Sequence, residues 1–113
     1  MRVSKRSHCP ISLSLEVIGD RWSLLILRDL ILFEKRRYGE LLQSSEGIST
    51  NILADRLNRL EKAGLISRSV DDRQQVHYAP TKKGSELRPV LNELKRWGLK
   101  HDPYARTPKA VAP

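Results

Sequence analysis

The sequence predicts a mainly α-helical fold carrying one small β-hairpin, and three observations predict it. Ser49 and Thr50, both N-cap types, precede a run in which Leu53, Leu57 and Leu60 recur at helical spacing, and Gly64 closes it, so a helix occupies Ser49 to Ala63. Immediately after it, Leu65-Ile66-Ser67-Arg68-Ser69-Val70 and Val76-His77-Tyr78-Ala79 read as short strands on either side of a polar tip, Asp71 to Gln75. Ahead of it, Tyr38 to Leu42 begins a short helix ending near Gln43, and Gly47-Ile48 forms the turn, with Ile48 anchoring that turn to the core. Short helix, turn, longer helix and charged hairpin, in that order, are the layout of a winged helix-turn-helix.

The remaining elements follow in chain order. Residues 1–8 are basic and polar and are expected to be flexible. Cys9-Pro10 opens a first helix, proline being suited to the first turn. Ile11, Leu15 and Ile18 lie on one side of it and Leu13 and Val17 on another, an apolar surface wider than one neighbour covers, so part of it is expected to meet a second subunit. Asp20 is the expected cap of a helix from Arg21 to Leu32, with Trp22, Leu25, Ile26, Leu30 and Phe33 as its buried spine. Phe33 to Arg37 forms a charged connection. After the hairpin, Thr81 caps a final helix in which Leu87, Val90, Leu91, Leu94 and Trp97 recur at three and four. Pro89 implies a kink near Gly84 to Glu86, and Gly98 is the expected end. The stretch from residue 102 to 113 carries Pro103, Pro108 and Pro113 without periodicity and reads as a disordered tail, which leaves one domain over 9–101.

The central helix has two unlike sides. Its three leucines fall within roughly 60° of one another at about 100° per residue. Asn51, Asp55, Asn58, Arg59 and Lys62 take the opposite side. Asparagine and arginine can bond base edges bidentately, and lysine and arginine can neutralise phosphates, so this face suits a helix lying in a DNA major groove. Any solvated helix can share such a face; the hairpin behind it is what favours DNA. Ser49, Thr50, Asn51, Asn58 and Arg59 are the candidate base readers, and Lys62 the candidate phosphate contact. Asp55 would repel phosphate unless it accepts from a cytosine amine or pairs with Arg59, four residues on. In the hairpin, Arg68 and Arg73 are candidate phosphate or minor-groove contacts, while Asp71 and Asp72 shape the turn. Arg36 and Arg37 stand where they could reach phosphate or simply lie in solvent.

A wider set of residues carries a family resemblance. Pro10-Ile11, Gly19-Asp20-Arg21-Trp22, Leu25-Ile26-Leu27-Arg28-Asp29-Leu30, Arg37-Tyr38-Gly39-Glu40-Leu41, Gly47-Ile48-Ser49, Leu53, Arg56-Leu57, Leu60-Glu61, Gly64-Leu65-Ile66, Tyr78, Thr81 and Gly84 resemble the HxlR-type winged helix-turn-helix transcriptional regulators. The resemblance runs from Cys9 to Trp97. It implies double-stranded DNA as the partner and a homodimer built from the first and last helices. The hairpin departs from the family pattern, with no proline at its tip, His77 where glutamate is usual, and Pro80 in place of an apolar residue.

Charge and cysteine content narrow the function further. The 113 residues hold 21 Lys plus Arg against 13 Asp plus Glu, a net charge of +8, which favours a polyanion as partner. No apolar run approaches the roughly 20 residues of a spanning helix, and no h-region follows Arg2, Lys5 and Arg6, so a cytoplasmic protein without a membrane partner is expected. A single cysteine agrees with that compartment. Cys9 stands at a helix start beside His8, near Lys5 and Arg6, surroundings that favour thiolate. Two readings stay open for it: a sensor of oxidants or electrophiles, a use some HxlR-type regulators make of a cysteine just before the first helix, or a small cap residue near a dimer interface. A small-molecule or oxidant effector is therefore an open partner. His8, His77 and His101 are scattered and the glycines form no phosphate-cradling loop, so neither catalysis, a metal nor a cofactor is expected. The reading is a homodimeric regulator binding a partly palindromic operator; the alternative is a winged-helix module for protein interaction or RNA binding without operator specificity.

Overall fold

The computed structural model describes residues 6–107 of the chain; Arg2 and Lys5 of the basic start and residues 108–113 of the expected tail lie outside the described residues. The elements run α1 (Pro10–Ile18), α2 (Ser23–Ile31), α3 (Tyr38–Leu42), α4 (Thr50–Lys62), β1 (Ile66–Val70), β2 (Val76–Pro80), α5 (Lys82–Ser85) and α6 (Arg88–His101). The hairpin is antiparallel, with Ile66 opposite Pro80 and Val70 opposite Val76. This is the helical fold with one small hairpin that the pattern predicts, and α3, the turn and α4 fall where it places them.

One core unites these elements. Leu27, Leu30 and Ile31 of α2, Leu41 of α3, Leu53, Leu57 and Leu60 of α4, Ile66 of β1 and Leu91 of α6 are buried together, with Ile48 holding the turn as expected. Burial of each such leucine stabilises the fold by about 1.5–3 kcal/mol of transfer free energy, so the stripe on α4 fixes which side of that helix faces out.

The α2 segment differs from expectation in two respects. It starts at Ser23 rather than Arg21, because the Asp20 carboxylate accepts the backbone N–H groups of both Trp22 (3.0 Å) and Ser23 (3.1 Å) and holds Arg21-Trp22 as a turn. Its buried spine is Ile26, Leu27, Leu30 and Ile31, whereas Trp22, Leu25 and Phe33 stay partly exposed. The side that packs on β2 and α6 is the one that is buried, and the guanidinium of Arg28 lies over the Phe33 ring, 5.4 Å from its centroid.

The last helix is not one kinked helix but two. Thr81 caps only α5, accepting the Gly84 N–H at 3.1 Å, and a new helix begins at Arg88 with Pro89 in its first turn, where the missing donor has no partner to lose. Gly98 does not end α6, which continues to His101 with the Asp102 N–H bonded to the Gly98 carbonyl at 2.9 Å. An interior glycine costs a helix about 1 kcal/mol without breaking it. Beyond it, Asp102 makes a turn, its carboxylate accepting the Tyr104 N–H at 2.8 Å.

The end of α4 is clamped by α5. Gly64 takes φ +80°, a conformation that favours glycine, and lets the chain leave the helix for β1. Thr81 Oγ1 donates to the Gly64 carbonyl (2.6 Å), Lys83 Nζ to the Ala63 carbonyl (2.7 Å), and the Thr81 N–H to the Leu65 carbonyl (3.0 Å). The approach is so close that a Cβ on Gly84 would lie 2.0 Å from the Leu65 carbonyl oxygen.

Candidate nucleic-acid interface

The local chemistry of α4 sets out its polar face. Ser49 Oγ accepts the Ile52 N–H at 3.3 Å and starts the helix, while the Tyr38 hydroxyl of α3 donates to the Thr50 carbonyl at 3.0 Å and ties the two helices together. With Leu53, Leu57 and Leu60 inside, Ser49, Thr50, Asn51, Asn58, Arg59 and Lys62 are all exposed. Asn51, Asn58, Arg59 and Lys62 lie on the side away from the leucines, and Ser49 and Thr50 are exposed at the start of the helix.

Asp55 is paired. Its Oδ2 forms an ion pair with Arg59 Nε at 3.0 Å and accepts a hydrogen bond from Arg56 Nη1. Arg56, unremarked by pattern alone, also donates from Nε to Asp20 at 2.9 Å and so joins α4 to the start of α2. Partial burial opposes ionisation of Asp20, but the Ser23 hydroxyl, the Trp22 N–H, Arg56 and the Ser23 N–H outweigh it and bring the carboxyl down to about 2. The Arg56 guanidinium is raised in turn, chiefly by its bond to Asp20.

The two basic residues before α3 part company. Arg37 is exposed. Arg36 turns inward: its Nη1 donates to the carbonyls of Leu30 (2.8 Å) and Lys35 (2.7 Å), and its own carbonyl accepts the Tyr78 N–H (2.7 Å). Its side chain thus closes the end of α2 and its backbone carries the hairpin. Glu40 reaches back to the N–H groups of Arg36 and Arg37, both at 3.0 Å, and these bonds, that of Arg36 first, lower its pKa.

In the hairpin, Arg68 and Arg73 are exposed. Asp71 shapes the tip, its Oδ1 accepting the N–H groups of Arg73 (2.8 Å) and Gln75 (3.0 Å), with Gln74 at φ +64°. His77 Nε2 sits 2.7 Å from Asp71 Oδ2, which gives the histidine at this position a structural partner and lowers the Asp71 carboxyl.

Cys9 is exposed at the N-cap of α1. Its sulfur makes no cap hydrogen bond, yet the amides at the start of the helix, Ser12 ahead of Ile11, hold the thiol below its ordinary value. Amide N–H groups at a helix start favour the thiolate over the thiol. Among the described residues, no group of three or more His, Cys, Asp or Glu side chains is placed to hold a metal ion, and no helix is long and apolar enough to cross a membrane.

Comparison with known families matches residues 17–105 to the HxlR-like helix-turn-helix family. The chain belongs to this family. As an HxlR-like protein it is a DNA-binding transcriptional regulator. It is 38% identical over 92 residues to the HTH-type transcriptional regulator sll1512 of Synechocystis sp., spanning 80% of this chain and 67% of that protein. Among solved structures, this HxlR-like chain is similar to the redox regulator HypR in its oxidized form, with a TM-score of 0.72 and 29% identity over 82% of this chain and 97% of that one. It is also similar to the reduced form of the transcriptional regulator YodB from B. subtilis, with a TM-score of 0.69 and 28% identity over 88% of this chain and all of the other, 100%.

Proposed function

We propose that this HxlR-like regulator binds a partly palindromic operator as a homodimer and acts by occupying or organising promoter DNA, without catalysis. The observation that carries this reading is the sidedness of α4: three leucines lock it to the core while Asn51, Asn58, Arg59 and Lys62 stand together in solvent. In the proposed complex Ser49, Thr50, Asn51, Asn58 and Arg59 meet base edges, and Lys62, Arg37, Arg68 and Arg73 meet phosphates. We leave Arg36 out of this proposed set, since its Nη1 already donates to the carbonyls of Leu30 and Lys35.

The dimer reading is supported by uncovered apolar surface. Ile11 (72% exposed) and Leu15 on α1, with Val90, Leu94 and Trp97 (67% exposed) on α6, are large hydrophobic side chains left in water by the single chain. Pairing through α1 and α6 would cover them and present two α4 helices about 34 Å apart, one turn of duplex.

Cys9 supports a redox response of the same dimer. Its lowered pKa and exposure suit attack by an oxidant such as a hydroperoxide, which accepts two electrons and two protons as two Cys9 thiols join, or as one joins a small thiol. Two of the similar structures are HypR in its oxidized form and YodB in its reduced form.

Titrating binding against salt tests the reading. Specific duplex binding by a dimer should weaken with a log–log slope of roughly −0.9 per phosphate neutralised and should survive excess random DNA. A flat slope, or equal affinity for random duplex, would instead indicate a protein-interaction or RNA-binding module.

A further inference from the structure

An acid on the side of α4 proposed to face DNA needs a reason, since it repels phosphate wherever it does not serve a contact. Asp55 stands there, 45% exposed, between Asn51 and Arg59. Its Oδ2 is shared by two guanidinium groups, Nη1 of Arg56 and Nε of Arg59. Arg56, only 20% exposed, is itself held by Asp20 through its Nε at 2.9 Å. Asp20 is fixed by the backbone N–H groups of Trp22 and Ser23 and by the Ser23 hydroxyl. Charge-assisted bonds therefore run from the start of α2 to Asp55, and a 3.0 Å ion pair continues them to Arg59, which is 67% exposed.

The series ends on one nitrogen of Arg59 and leaves the rest. A guanidinium is a rigid planar fork, so a carboxylate drawn against its Nε side restrains the group and leaves the Nη1/Nη2 end free. Among the described residues neither of those terminal nitrogens has a protein partner. A pair of parallel donors matches a pair of acceptors, and on the major-groove edge only guanine, through O6 and N7, presents two acceptors side by side; adenine offers one acceptor and one donor, thymine one acceptor and a methyl group, cytosine one donor.

We propose that Asp55, anchored through Arg56 to Asp20, is a positioning residue that holds Arg59 ready for a guanine, making guanine a fixed requirement at one position of each half-site. The inference rests on α4 being the base-reading helix. Pre-setting the fork removes part of the side-chain entropy that a long exposed arginine loses on binding. The uncancelled cost of a negative charge near phosphate then falls equally on correct and incorrect sequences, so Asp55 trades general affinity for discrimination.

The test uses the full chain and a random duplex library. Sites are selected with wild type, Arg59→Ala, Asp55→Ala and Arg56→Lys, all first checked for an unchanged helical spectrum. Binding is then measured to the wild-type site with 7-deazaguanine, which lacks the N7 acceptor, at each guanine in turn. Wild type should lose roughly 5- to 150-fold in affinity at one position per half-site, the span expected for one bidentate pair. Arg59→Ala should be indifferent to that change. Asp55→Ala and Arg56→Lys should lose most of the discrimination there and keep it elsewhere, with Asp55→Ala binding random duplex as tightly as wild type or more so. Full guanine discrimination in Asp55→Ala would overturn the proposal, as would a loss confined to a different base pair, the mark of direct cytosine reading by Asp55. If wild type selects no common site, the reading of α4 itself fails, and that failure is seen before any variant is compared.

Discussion

Arg28 donates from Nη1 and Nη2 to the two carboxylate oxygens of Glu46, each at 2.8 Å, and so ties the middle of α2 to the turn that precedes α4. The same guanidinium reaches Asp29 Oδ1 from Nε (3.0 Å) and Nη2 (2.9 Å), and Ser44 Oγ donates to Glu46 Oε1 at 2.6 Å. The bidentate contact fixes both distance and plane, so the angle at which α4 leaves the body of the protein is set partly by this pair. It is a geometric control on the interface by residues that carry none of its contacts.

Removing Arg28 should cost more than removing its partner. Arg28→Ala leaves Asp29, 2% exposed, with only Lys35 at 3.6 Å, and should destabilise the fold by about 3 kcal/mol. Glu46 is 34% exposed and solvent screens its loss, so Glu46→Gln should cost about 1 kcal/mol. Urea unfolding of the two variants checks the order; equal losses would mean that Asp29 does not depend on Arg28.

Acid should weaken the fold through the same pair. The Arg28 hydrogen bond brings the Glu46 carboxyl from its ordinary value of 4.5 down to about 2 against a smaller effect of burial, and Asp20 also lies at about 2. Both values are depressed in the folded state, so their stabilisation is present above the ordinary carboxylate range and is lost as the pH falls toward about 2. The melting temperature of wild type should hold near neutrality and fall between about pH 4 and pH 2. In Glu46→Gln the fall should be shallower, and identical curves would show that Glu46 is not held by Arg28 in solution.

Two glycines should respond to alanine with opposite signs. In Gly84→Ala the new Cβ meets the Leu65 carbonyl oxygen at 2.0 Å, backbone against backbone, and the strands must part from α5 at a cost of about 2 kcal/mol or more. In Gly98→Ala the Cβ meets nothing within 4 Å and sits inside α6, which should gain about 0.5–1 kcal/mol. Thermal melts of the two variants give the comparison directly, and a stabilised Gly84→Ala would contradict the clamp described for α5.

Adjacent arginines should separate into two roles. Arg36→Ala should lower stability by about 1–2 kcal/mol through its lost bonds to Leu30 and Lys35 and leave the salt slope of DNA binding unchanged. Arg37→Ala should leave stability unchanged and reduce that slope by about 1, the signature of one phosphate contact. The reverse pattern would return Arg36 to the interface.

What the sequence reveals and what it hides divide along physical lines. The cap at Ser49, the leucine stripe of α4 and the hairpin around Asp71 are local patterns, each settled by residues within a few positions of one another. The outward set on α4 follows from that stripe. The Arg28–Glu46 and Arg56–Asp20 bonds join residues eighteen and thirty-six positions apart, and no periodicity announces them. The bonds of Arg36 are hidden for the same reason, because a charged residue in a charged connection gives no sign of the carbonyls it will meet. On α2 the apolar residues circle the helix, so the pattern cannot say that Leu27 and Ile31 are buried in preference to Leu25 and Phe33; the packing of β2 and α6 decides. Pro89 is equally consistent in sequence with a kink or with a fresh start, and its place in the first turn of α6 is fixed only once α5 has closed against Leu65.

The central claim, that the outer side of α4 is presented to DNA twice by a symmetric pair, is tested most directly by hydroxyl-radical footprinting of the protein on its selected site, with mass measured on the same complex. The account predicts a dimer protecting two patches on one face of the duplex, about one helical turn or ~10 base pairs apart, both lost when Asn58 and Arg59 are replaced together by alanine. A single patch under one protein chain, or two patches that persist in the doubly substituted protein, would contradict it.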